Sequence, residues 1–243
     1  MNYLQSENLK HRRTFTKKLP FLAPAITALM NLFAPLWFQL NSYNWWYILI
    51  YPGCLTLICA LTEQRDNGKL KYRAILPLPV HLKKVWKAKI GVAGIYAALG
   101  NLLFLALNLL GGYAILSIYK LPLTISVLQA LSGTLCIIIL SLWEIPLCLW
   151  LSKKVGIFLT VVLNVGVGSI LGILGATTDL WFLYPYSWTP RLMIYILGIL
   201  PNGEPVTIQT TPFLTIGLIL LLSILLFVFL SLFTSKDFEK EVK

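Results

Sequence analysis

The chain has 243 residues, of which 58% are hydrophobic and 12% are charged, and its formal net charge is +11. Soluble domains usually carry about a quarter charged residues, so this composition excludes an ordinary soluble domain and predicts a protein that lies in lipid. The positive charge does not indicate nucleic-acid binding, because Lys and Arg fall in short segments between long apolar runs.

Six apolar runs are each close to the roughly 20 residues that a helix needs to cross a bilayer. They cover residues 19–40, 45–61, 90–116, 123–150, 155–176 and 213–233. None of them alternates polar and apolar residues as a membrane β-strand does. The sequence therefore predicts an all-α membrane protein with six transmembrane helices, in a single domain over residues 1–243.

The basic residues predict the orientation of these helices. With six crossings, all of the 20 Lys and Arg residues except Lys120 and Arg191 fall on one side. They lie in the N-terminal segment 1–18, the loop 62–89, the turn at 153–154 and the tail 234–243. Cytoplasmic segments carry such an excess of Lys and Arg, so we expect both termini to be cytoplasmic.

The loop 62–89 has a distinctive order of residues. An acidic residue leaves the second run, a glycine follows five positions later, and then come a Leu-Pro and a basic stretch that ends in Lys. These positions are Glu63, Gly68, Leu70 or Leu76, Pro77 and Lys89. Composition alone favours a solvated loop that follows the positive-inside rule; the order of residues also fits a short interfacial helix and a turn.

Glu144 is the only acidic residue inside a predicted span. Charges within spans are costly and usually face a cavity or a partner, so Glu144 is a candidate site for a cationic peptide or for a second subunit. Two structural readings stay open. Its side chain can make a structural hydrogen bond beside Pro146, which leaves a backbone carbonyl free, or it can lie at shallow depth close to Lys153.

The outer segment 177–212 is rich in aromatic residues and proline. Within it, Leu192–Leu200 is apolar but too short to span, which suits a re-entrant or interfacial helix. A loop resting on lipid headgroups is the alternative. Four aromatic residues are candidates for an outer lip that contacts an amphipathic cargo, or for an ordinary interfacial belt. They are Trp181, Tyr184, Tyr186 and Trp188.

The loop motif and the span layout resemble the permease subunits of ABC-2 type exporters. Two stretches, NSYNWWYILIYPG at 41–53 and LWEIPLCLWLSKKVG at 142–156, resemble the lantibiotic self-immunity permeases of the mutacin and epidermin branch. The resemblance implies that loop 62–89 is the coupling helix that docks on a separate ATPase subunit, and that segment 177–212 is a re-entrant helical pair. It further implies a bacterial cell membrane, a second related permease or self-dimer, and export of a lantibiotic peptide that gives the producer self-immunity.

Enzymatic activity is not expected from this sequence. It lacks GxxxxGK[ST], so ATP hydrolysis is expected in a partner, and it has no HExxH or CxxC motif, so neither a metal nor another cofactor is expected. An ABC-2 permease for a drug, lipid or glycan is the main alternative. A secondary transporter is a further one, although it would show polar, broken helices, whereas these spans read as mostly smooth.

Overall fold

The computed structural model describes residues 2–68, 72–73, 77, 79–120, 123–207 and 213–242. Within these ranges every regular element is helical, apart from a single β-bridge between Ile199 and Pro205. The all-α fold class is therefore confirmed. The α-helices are α1 Tyr3–Lys10, α2 Phe15–Asn31, α3 Phe38–Trp45, α4 Tyr51–Asn67, α5 Leu82–Ile118, α6 Val127–Leu140, α7 Glu144–Val161, α8 Ile170–Gly175, α9 Pro185–Leu197 and α10 Phe213–Val242.

Short non-α segments lie between several of these helices. Two are 3-10 turns, Pro35–Trp37 and Trp181–Leu183, and two are π-helical, Trp46–Ile50 and Val162–Ser169. The spans are thus interrupted rather than smooth, which differs from the sequence expectation. π-Helical segments are rare and often mark functional sites.

In the described part of the chain, four helical stretches are long and apolar enough to cross a membrane. They are Pro35–Asn67, Leu82–Ile118, Glu144–Gly175 and Leu214–Glu241, and α6 is a shorter apolar helix. Their outward faces carry large apolar side chains such as Phe158 and Leu214, which are 81% and 79% exposed. Lipid is the solvent that such faces require, so the chain fits a multi-pass membrane protein.

The first predicted run, 19–40, is divided between two helices. α2 ends at Asn31, and the helical path resumes at Pro35 and continues to Asn67. A residue that precedes proline avoids the α conformation, and Ala34 has φ −128° and ψ 68°. Residues 35–40 therefore belong to the next helix, which corrects the sequence-based boundary.

The predicted run 123–150 is broken at residues 141–143, between α6 and α7. Pro146 is the reason, because its ring would clash with the Leu142 carbonyl and it has no N–H to donate to that carbonyl. In the first turn of a new helix the missing N–H does no harm, and α7 begins at Glu144.

The chain reverses direction inside α7, at Gly156. This glycine has φ 82° and ψ 174°, a conformation that side-chain-bearing residues rarely adopt. Glu144 and Asn164 would lie roughly 30 Å apart along a straight helix. Asn164 Nδ2 nevertheless lies 3.2 Å from Glu144 Oε2. The apolar stretch Glu144–Gly175 is therefore a helical hairpin, with its turn beside the predicted turn at Lys153 and Lys154.

Two long segments run side by side in the same direction through the bundle. Tyr43 Oη donates to the Ala130 carbonyl at 2.8 Å, and Tyr51 Oη lies 2.6 Å from Ser141 Oγ. Further along, Ser152 Oγ donates to the Ala60 carbonyl at 3.4 Å. α6 and residues 144–155 thus form one broken traverse that follows the path of α3 and α4.

Four segments rich in basic residues meet at one end of the bundle, which we call the basic end. Lys10 of α1 binds Asp66 of α4, with Nζ and Oδ2 2.9 Å apart. Lys83 of α5 binds Glu239 of α10 at 2.9 Å, and Lys154 at the reversal lies 3.4 Å from Asp237. Ion pairs therefore join the N-terminal segment, the loop after α4, the reversal and the end of α10.

α9 packs at the opposite end, between α6 and the second arm of the hairpin. Its first residues lie against Gly168 and Gly172, where an added Cβ would come within 2.6 Å of Tyr186 atoms. Its last turn lies against Gly133, where a Cβ would come within 3.1 Å of Leu197. The helix that the sequence predicted over 192–200 is thus longer and starts deeper in the bundle.

Candidate functional site

The base of the predicted coupling loop is closed by a buried ion pair. Glu63 lies near the end of α4 and Lys89 near the start of α5, and both side chains are fully buried. Lys89 Nζ is 2.7 Å from Glu63 Oε2 and 2.9 Å from Asp66 Oδ2, and Tyr72 Oη donates to Glu63 Oε1. α4 and α5 extend into the predicted loop 62–89, so only residues 68–81 lie between them.

The other residues of the loop motif lie in this connection. Gly68 caps α4, and a Cβ there would meet the Gln64 carbonyl oxygen at 2.7 Å, so a side chain would shift the backbone. Pro77 is exposed to solvent. Leu76, like the alternative Leu70, lies outside the described residues. Glu63 and Lys89 therefore hold the ends of the connection, while its exposed part is free to meet a partner.

The N-terminal helix covers this ion pair from one side. Lys10 Nζ bridges Asp66 and Glu7, the latter at 2.8 Å, and Tyr96 Oη donates to Asn8 Oδ1 at 2.6 Å. Burial raises the pKa of Glu7 above its ordinary value, against the opposing effect of Lys89 and Lys10. The packing of α1 thus completes a network of carboxylates and lysines at the basic end.

His11 follows α1 and is almost fully buried. Its ring lies edge-on to Tyr96, with 5.9 Å between the ring centroids, and neither ring nitrogen has a hydrogen-bond partner among the described residues. Burial, with the nearby positive charges of Arg65, Lys10 and Lys89, lowers the pKa of His11 to about 4. A neutral imidazole is therefore part of the docked position of α1.

The four aromatic residues proposed as an outer lip point largely into the protein. Trp181 and Trp188 are buried, and Trp188 Nε1 donates to the Phe182 carbonyl at 2.9 Å. Tyr184 Oη donates to the Gly168 carbonyl at 3.3 Å, and Tyr186 Oη donates to Asn164 Oδ1 at 2.6 Å. The two tyrosines are half-buried, so their contact with a cargo stays a prediction. Leu180, Phe182 and Leu183 are the exposed large apolar side chains beside them.

Glu144 lies within the bundle, roughly 18 Å along the helix from the reversal at Gly156. Its Oε2 accepts a hydrogen bond from Asn164 Nδ2, and the same amide group donates to Thr56 Oγ1 at 2.8 Å. The Asn164 amide therefore links Glu144 in the first arm of the hairpin to Thr56 in α4. The distance of Glu144 from the reversal argues against a shallow position of this residue near the headgroups.

A cavity of about 20 Å³ lies next to Glu144, which is about the space that one water molecule needs. Its walls come from the segment joining α3 to α4, from α6 and α7, from the second arm of the hairpin, and from α9. The lining residues are Tyr47, Ile48, Tyr51, Pro52, Ile137, Ser141, Glu144, Ser169, Ile173, Tyr186, Thr189 and Pro190. They include one carboxyl group and six hydroxyl groups, and no Lys, Arg or His.

Sequence reasoning found Glu144 and Tyr186 but not the rest of this cavity. The other lining residues come from four distant parts of the chain, and hydroxyl residues inside apolar runs carry no spacing signal. Pro52 and Pro190 were the available signal, since a proline inside an apolar run frees a backbone carbonyl there. The cavity can bind a small polar species. Among the described residues, no group of His, Cys, Asp and Glu could hold a metal ion together.

Comparison of the chain with protein-family models, with curated proteins and with solved structures finds no match.

Proposed function

We propose that this chain is the membrane-spanning permease subunit of an ABC exporter, with ATP hydrolysed by a separate subunit that docks at the basic end. The observation that carries the proposal is the connection between α4 and α5. Its ends are fixed by the Glu63–Lys89 ion pair, and its exposed residues Arg73, Pro77 and Pro79 face away from the bundle. A basic connection whose flanking helices are paired in this way can pass a partner's movement to those two long helices.

The topology we propose has six crossings, with both termini in the cytoplasm of a bacterial cell. The crossings are residues 15–31, 35–67, 82–118, 127–155, 157–175 and 213–242. The reversal at Gly156 and the broken traverse of α6 and α7 support this count, and the gathering of basic segments at one end supports the orientation. In this topology residues 177–186 re-enter the bundle before α9 returns to the opposite end.

The cargo we propose is a lantibiotic, a cationic and lanthionine-bridged peptide that is moved from the membrane to the outside. This rests on the resemblance at residues 41–53 and 142–156. Extracting such a peptide breaks apolar burial worth roughly 25 cal/mol per Å². The exposed Leu180, Phe182 and Leu183 at the opposite end offer replacement contacts. Only 11% of the most apolar 18-residue stretch of α10 is buried, so α10 offers a face for lipid or for a second permease subunit.

Co-purification tests the docking role. The tagged full-length chain, extracted from its native membranes in mild detergent, should carry a subunit that hydrolyses ATP. Arg73→Glu, which reverses an exposed charge of the connection, should lower the recovered ATPase activity at least tenfold at equal chain recovery. Lys120→Glu is the matched control, because it reverses an exposed charge at the opposite end and should leave the activity unchanged. Equal loss in both variants, or no ATPase with the wild type, contradicts the proposal.

A cell-based assay tests the cargo. Cells that express the chain with its ATPase should tolerate a lantibiotic at several-fold higher concentration than cells whose ATPase cannot hydrolyse ATP. Unchanged lantibiotic tolerance together with raised tolerance to a drug, or with altered export of a lipid or glycan, would reassign the cargo. A secondary transporter is the second candidate, since the broken helices around Glu144 resemble its usual architecture. Tolerance that persists without ATP hydrolysis would favour it.

A further inference from the structure

The Glu144 carboxyl group has no positively charged side chain beside it among the residues that line its cavity. Inside a membrane an isolated carboxylate is costly, and such groups pair with a partner or face a polar cavity. The side chains around its cavity include no Lys, Arg or His, and the hydrogen bond from Asn164 is neutral. A small cation in the cavity would neutralise the carboxylate where it lies.

The hydroxyl group of Tyr47 provides an independent sign of a ligand. Tyr47 is 3% exposed and lines the cavity, and its oxygen has no hydrogen-bond partner among the described residues. Buried polar groups are nearly always hydrogen-bonded, so an unpartnered one calls for an explanation. A proton on Glu144 would by itself remove the charge but add no partner for this oxygen, whereas a cation in the cavity can bind both groups.

The regular helical hydrogen bonding is interrupted around the cavity, as it is around ion sites in transporters. Pro52 has no N–H to donate to the Ile48 carbonyl, and Pro190 has no N–H to donate to the Tyr186 carbonyl. All four of these residues line the cavity. Both π-helical segments also reach it, through Tyr47 and Ile48 in one and Ser169 in the other. Carbonyl groups freed by broken membrane helices coordinate sodium ions in transporters.

We propose that this cavity is a sodium-ion site, with Glu144 as the charged ligand and the Tyr47 hydroxyl as one of its neutral oxygen ligands. The cavity admits one species of about the size of water, which leaves room for one dehydrated sodium ion. One carboxylate balances one positive charge, which favours a monovalent over a divalent cation. Oxygen ligands are those that hard cations take. The proposed site is formed by residues of this chain alone, so it is independent of the proposed cargo and ATPase.

Thermal unfolding of the purified full-length chain in detergent tests the site. Sodium chloride at about 100 mM should raise the unfolding midpoint by about 5 °C over choline chloride at the same ionic strength, as expected for a ligand with a dissociation constant near 1 mM. Potassium chloride should give less than half of that shift. Equal midpoints in the three salts overturn the proposal, as does a midpoint that responds to pH but not to sodium.

Two variants locate the effect. Glu144→Gln should abolish the sodium-dependent shift. Tyr47→Phe should leave the midpoint in choline chloride unchanged or slightly raised, because it removes an unpartnered hydroxyl, and should reduce the sodium-dependent shift by at least half. The Tyr47→Phe variant still tests the site if Glu144→Gln does not fold. Glu204→Gln neutralises an exposed carboxylate and should keep the full shift. A full shift in Tyr47→Phe overturns the proposal, and so does one in Glu144→Gln. Neither readout involves ATP or a peptide.

Discussion

Lys89 lies among carboxylates near the start of α5, where its side chain has no exposed surface. Its ammonium group contacts Glu63 at 2.7 Å and Asp66 at 2.9 Å. Removing one partner of a buried ion pair leaves the other charge uncompensated, at about 3–5 kcal/mol. We expect Lys89→Met to lower the free energy of unfolding by that amount, measured by SDS titration in mixed micelles.

Lys83→Met is the control for this substitution. Lys83 pairs with Glu239 at 2.9 Å, but its side chain is 47% exposed, and exposed pairs contribute less than about 1 kcal/mol. The double variant Lys89→Met with Glu63→Gln should regain part of the loss, because it removes one of the stranded charges. Equal losses for Lys89→Met and Lys83→Met would mean that the buried pair does not hold the base of the connection.

Glu63 and Lys89 were recognised in the sequence as the first and last residues of one loop motif. Nothing in the sequence indicated that they bind each other, because 26 positions separate them and no local periodicity relates them. Asn164, which binds Glu144 across the reversal and Thr56 from 108 positions away, is a similar case. Such pairs depend on how helices pack, so only the three-dimensional structure reveals them.

Docking of the N-terminal helix is expected to depend on pH. His11 has a pKa of about 4 where it is buried against Tyr96 and near Arg65, Lys10, Lys89 and Asp66, and one of about 6.5 when free in water. Between these values the docked helix binds fewer protons, so lowering the pH favours its release. From pH 7.5 to 5.5 we expect amide exchange in α1, corrected for its intrinsic pH dependence, to rise about tenfold.

Two variants separate the groups that contribute to this pH dependence. His11→Phe keeps a ring against Tyr96 and should abolish the rise in corrected exchange as the pH is lowered. Glu7 acts in the opposite direction, because its raised pKa makes the docked helix the better proton binder above pH 4.5. Glu7→Gln should therefore keep or enlarge the effect. A rise in corrected exchange at lower pH that survives in His11→Phe would assign the release to another group.

The apolar runs predicted where the helices lie better than where they begin and end. The reversal at 153–156 was readable from two lysines followed by a glycine between two apolar runs. The divisions at 32–34 and 141–143 were missed, because the apolar character continues through them and only Pro35 and Pro146 mark them. Both of these prolines lie in the first turn of a new helical segment.

The proposed orientation of the molecule predicts which residues an impermeant reagent can reach. Four exposed positions, two from each end, serve as single-cysteine probes: Arg12, Arg73, Lys120 and Glu204. The four native cysteines are buried, so they give a low background. In intact cells we expect an impermeant maleimide to label the Lys120→Cys and Glu204→Cys variants at least ten times faster than the other two. The positive-inside asymmetry is the physical reason.

Inside-out vesicles provide the reciprocal measurement, in which Arg12→Cys and Arg73→Cys should become the reactive pair. Labelling of Arg73→Cys in intact cells would place the α4–α5 connection outside the cell, where a cytoplasmic ATPase subunit could not dock on it. Reaction of Arg12→Cys and Lys120→Cys from the same side would mean that the number of crossings between them is not the three that we propose.

The reversal at Gly156 has a consequence for biosynthesis. Between Glu144 and Gly175 the chain offers no hydrophilic stretch long enough to be translocated, since Lys153 and Lys154 sit directly on the tip. Carrying a lysine to the bilayer centre costs about 2.5–3.5 kcal/mol on insertion scales. In the proposed orientation we therefore expect the two arms to leave the translocation channel together, with Lys153 and Lys154 retained at the cytoplasmic side.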